Sequence, residues 1–95
     1  MNDKLIEDLK ETFPDETERI DRAKTLVETL ENENEAKNVA ENIEELQQIC
    51  NDLYNIKGSE HLIELQVIIN EFRYKYDVTD PREIINIDNG KGFVQ

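Results

Sequence analysis

Little in this sequence is suited to covalent or soft-metal chemistry. Cys50 is the only cysteine and His61 the only histidine among 95 residues. A lone cysteine excludes an intramolecular disulfide, and with it the secreted disulfide-stapled scaffolds. One His and one Cys do not complete a zinc site. Tryptophan is absent, and only three glycines and two prolines punctuate the chain, so regular structure has few forced stops. The phosphate-cradling and nucleophile-elbow patterns G-x-x-x-x-G-K, G-x-G-x-x-G and G-x-S-x-G do not occur. No apolar run approaches the roughly 18 residues of a membrane span. Met1-Asn2-Asp3-Lys4 does not open a basic region followed by an apolar one, so no signal peptide is expected and the cytoplasm is the expected compartment. Basic residues are scarce: 11 Lys and Arg stand against 23 Asp and Glu, for a net charge of −12. Nucleic acids and anionic membranes both require a basic footprint, so neither is an expected partner. The natural counterpart of such a field is a basic protein surface.

The length fits one domain, and the composition gives it a thin core under a charged surface. Hydrophobic residues make up 37% of the chain and charged residues 36%. The apolar residues recur at helical spacing. Leu5, Ile6 and Leu9, extended by Phe13, mark a first helix that Pro14 stops. Asp15, with Glu18 three residues on, reads as a capping box that starts a second helix carrying Ile20, Ala23, Leu26, Val27 and Leu30. A third stripe follows: Ala36, Val39, Ile43, Leu46, Cys50 and Leu53. Carried through as one helix, the second and third stripes would lie on roughly opposite faces. A hairpin buries both, which predicts a turn within Glu31-Asn32-Glu33-Asn34-Glu35, where Asn tolerates the left-handed conformation.

Gly58 is expected to end the third helix and Ser59 to cap the fourth. Leu62, Leu65, Ile69, Phe72 and Tyr76 form the main stripe of that fourth helix, and Ile63, Val67 and Ile68 broaden it. So few polar residues interrupt it that it is expected to be the central, most buried helix. The alternation Phe72, Tyr74, Tyr76, Val78 carries a strand period, but the helix is expected to continue to about residue 75. Asp80-Pro81-Arg82-Glu83 reads as the start of a short fifth helix. Asn89-Gly90 between Ile85–Asp88 and Lys91–Val94 is a hairpin signal. The fold class expected is therefore mainly α: a small antiparallel bundle of about four helices plus a short fifth, with a C-terminal hairpin or extended tail. Residues 1–79 form the bundle, and 80–95 the short helix and tail of the same domain.

Function is expected to lie in binding rather than catalysis, with no cofactor. Glu28, Glu31, Glu33, Glu35, Glu41, Glu44 and Glu45 face Lys37 alone across that stretch and are the first candidates for contact with a basic partner. Phe72, Arg73, Tyr74 and Tyr76 are the alternative interface, since Tyr and Arg are enriched in protein contacts. Cys50 occupies a core position, where a thiol is inert, and His61 falls in the first turn of the fourth helix. A structural homodimer, in which leftover apolar stripes complete a core across chains, is the second reading.

Two resemblances exist. Glu41, Glu44 and Glu45 on one helix and the Glu18–Asp21 pair on another resemble the carboxylate-bearing helices of all-α nucleoside triphosphate pyrophosphatases. That implies a third reading, a metal-dependent nucleotide hydrolase. The pattern departs from the family at Gln48, where a third carboxylate is wanted, and in the order of the two motifs. Asn89-Gly90-Lys91-Gly92-Phe93 resembles the end of colicin nuclease immunity proteins, but their tyrosine pair is absent and no residue role carries over.

Overall fold

The computed structural model describes residues 3–32, 34 and 37–78. Its elements are α1 (Asp3–Thr12), a 3₁₀ turn (Pro14–Glu16), α2 (Thr17–Glu31), α3 (Val39–Ile56) and α4 (Glu60–Lys75). The fold is mainly helical, with no strand among the described residues. The expected fifth helix from Asp80 and the hairpin about Asn89-Gly90 lie outside the described residues, as do Glu33, Glu35 and Ala36. No helix among those described is long and apolar enough to cross a membrane.

Each helix buries the stripe its sequence carries. Leu5, Ile6 and Leu9 of α1, Ile20 to Leu30 of α2, Ile43 to Leu53 of α3, and Leu62 to Phe72 of α4 join Phe13 in one core. Helix α3 packs against α2 and α4, and α1 packs against the same two, so every helix has two neighbours. Leu9, Ile20, Leu30, Ile43, Leu46, Leu53, Leu65 and Ile69 are wholly excluded from solvent. Burial of each is worth about 1.5–3 kcal/mol relative to exposure. Side-chain pairs fix the direction of the hairpins. Arg19 meets Asp52 and Arg22 meets Glu45 across α2 and α3. Gln47 meets Gln66, and Cys50 meets the Leu62 carbonyl, across α3 and α4. In both cases ascending numbers meet descending ones, so the neighbours are antiparallel.

The structure differs from expectation at three boundaries and in the burial of one helix. Asp15 does not cap α2. It sits inside the 3₁₀ turn, and α2 starts at Thr17 from Glu16, which makes no side-chain cap. The cause is Phe13, which is buried and holds the chain on both sides: its N–H donates to the Leu9 carbonyl at 2.8 Å, and its own carbonyl accepts from Glu16 N–H at 3.0 Å. The α2–α3 connection is longer than residues 31–35, because α2 runs through Glu31 and α3 begins only at Val39. The left-handed asparagine is Asn38, at φ 53° and ψ 43°. Gly58 has no positive φ. Helix α3 ends instead on an extended Lys57, whose N–H donates to the Leu53 carbonyl at 3.1 Å. Finally, α4 is not the most buried helix: Ile63 and Val67 are 65% and 50% exposed. Its apolar residues are divided between two faces, and only one meets α1 and α3.

The end of α4 is a Schellman motif built without glycine. Asp77 adopts the left-handed conformation at φ 55°. Val78 N–H donates to the Arg73 carbonyl at 2.8 Å, and Asp77 N–H to the Tyr74 carbonyl at 3.4 Å. Val78 packs against the core, supplying the apolar contact that accompanies this cap. The same turn aims Tyr76, whose hydroxyl donates to the Leu30 carbonyl. That carbonyl is among the last four of α2, which have no acceptor role within the helix.

Candidate functional site

Charge is partitioned along the α2–α3 hairpin. Near the start of α2, arginines reach across to α3. Arg22 Nε donates to Glu45 Oε2 at 2.6 Å and Nη2 to Oε1 at 2.9 Å. Arg19 Nη1 donates to Asp52 Oδ2. The hydrogen bonds from Arg22 hold the Glu45 carboxyl below its usual range, and the same pairing raises Arg22. Glu45 is thus committed to a partner within the chain.

Toward the connection the arrangement changes. Glu28 and Glu31 occupy the last turn of α2, which contains no basic residue. The negative end of a helix dipole disfavours carboxylates at that position, by about 0.3–1 kcal/mol each. Glu41, in the first turn of α3, is placed favourably. Glu28, Glu31, Glu41 and Glu44 are all exposed. The seven candidates therefore divide: four are at the surface beside the connection, Glu45 is exposed but ion-paired, and Glu33 and Glu35 are outside the described residues.

The alternative candidates separate as well. Tyr74 is 91% exposed. Phe72 is in the core and Tyr76 is half-buried with its hydroxyl engaged. Arg73 is buried, and its Nε and Nη1 have no hydrogen-bond partner among the described residues.

Cys50 and His61 line different grooves: Cys50 with Asn51, Tyr54 and Gln66, and His61 with Lys4, Asp8 and Glu64. Burial pushes the Cys50 thiol up to about 11. His61 Nδ1 lies 3.8 Å from Asp8 Oδ2. Among the described residues no three His, Cys, Asp or Glu side chains converge to hold a metal ion.

One polar feature escaped the sequence. Gln47 and Gln66 form a reciprocal amide pair across α3 and α4, with Gln47 Nε2 donating to Gln66 Oε1 at 2.6 Å and Gln66 Nε2 to Gln47 Oε1 at 2.9 Å. Asn51 and Asn70 extend it at 3.1 and 3.0 Å. No protein family, curated protein or solved structure matches the chain.

Proposed function

We propose that the chain is a non-enzymatic protein-binding domain, of inhibitor, immunity or adaptor type, that engages a basic protein surface through the acidic end of its α2–α3 hairpin. The observation that carries this reading is the last turn of α2. Glu28 sits there against the helix dipole, with no basic residue in the turn, and Glu41 and Glu44 are exposed on α3. Arg19 and Arg22, placed earlier in α2, are used on Asp52 and Glu45. Stability alone gives no reason for such placement, whereas association with a cationic surface does. The gain is in association rate and specificity more than in raw affinity.

The test is to capture a partner from the host lysate, identify it, and measure its association rate with the native chain and with the Glu28→Gln/Glu41→Gln/Glu44→Gln variant. Association should slow at least about tenfold in the variant at low salt, and the difference should shrink as salt rises. A rate indifferent to both the substitutions and the salt refutes the reading.

A further inference from the structure

We draw no further inference here: the strongest candidate, the exposed apolar face of α4 formed by Ile63, Val67 and Tyr74, is flanked by exposed Glu60, Glu64 and Glu71, and nothing in the structure shows what covers it.

Discussion

Replacing Gln66 with Leu while Gln47 stays in place removes both hydrogen bonds of the reciprocal amide pair. Gln47 is 8% exposed, so its amide oxygen is left with little access to water. Its Nε2 keeps Asn51, which halves the damage. A buried acceptor without a donor costs about 1–3 kcal/mol, so Gln66→Leu should destabilise by that amount and lower Tm by about 4–8 °C per kcal/mol. Gln47→Leu should cost less, under about 1 kcal/mol, because the half-buried Gln66 retains Asn70 and can turn to water. The double substitution should be close to neutral, since two apolar side chains of similar volume replace two satisfied amides. Urea denaturation of the four proteins, followed by circular dichroism, reads the coupling directly. The double variant should be more stable than the sum of the singles by about 1–4 kcal/mol. Additive losses within about 0.3 kcal/mol would refute the pairing.

Arg73→Met should stabilise the chain by about 1 kcal/mol, because a buried guanidinium with two donors unpartnered among the described residues is replaced by an apolar chain of similar length. A loss in the same urea titration would mean that an acceptor serves Arg73. Gly58→Ala should stabilise by about 0.4–1 kcal/mol. The backbone there has no positive φ, and a Cβ would meet only Tyr54 Cε2 at 4.0 Å. A drop in Tm would show that glycine is required after all. Cys50 should resist a thiol reagent at neutral pH and react on unfolding. Its folded pKa, about 11, exceeds the ordinary value, so the stability due to the neutral thiol is complete below the unfolded pKa of about 8.5. It is lost as pH rises from there through the folded value. A stability difference between the native and Cys50→Ala chains that stays constant across that window would contradict the shift.

The helices were legible because one alternation of threes and fours marks each buried face, and burial depends on that alternation more than on any single residue. Leu62, Leu65, Ile69 and Phe72 followed it. Ile63 and Val67 misled because counting apolar residues ignores the side of the helix on which they stand. The boundaries depended on backbone conformations that composition does not determine: Phe13 anchors a 3₁₀ turn that absorbs Asp15, and Asn38 takes the left-handed position assigned to the earlier turn. At the acidic end, the exposure of Glu28, Glu31, Glu41 and Glu44 followed from their lying off the stripes. The pairing of Glu45 with Arg22 did not, because they are 23 residues apart in sequence and meet only once the rotation and register of two helices are known. The same holds for Gln47 and Gln66. Arg73 was read from its aromatic neighbours as a surface residue, yet its position on α4 turns it inward.

The hydrogen bond from Tyr76 to the Leu30 carbonyl closes the end of the second helix with a residue made much later. The two are 46 positions apart, and ribosomes add about 5–20 residues per second. Leu30 is therefore in the chain for about 2–9 s before the hydroxyl that completes α2 has been synthesised, and the last residue of α3 for about 1–4 s. In that interval the Leu30 carbonyl has water as its partner, and the apolar faces of α1 and α3 that α4 will cover are open. Until Tyr76 is in place, the end of α2 lacks this latch, and the last helix both covers the core and closes the second.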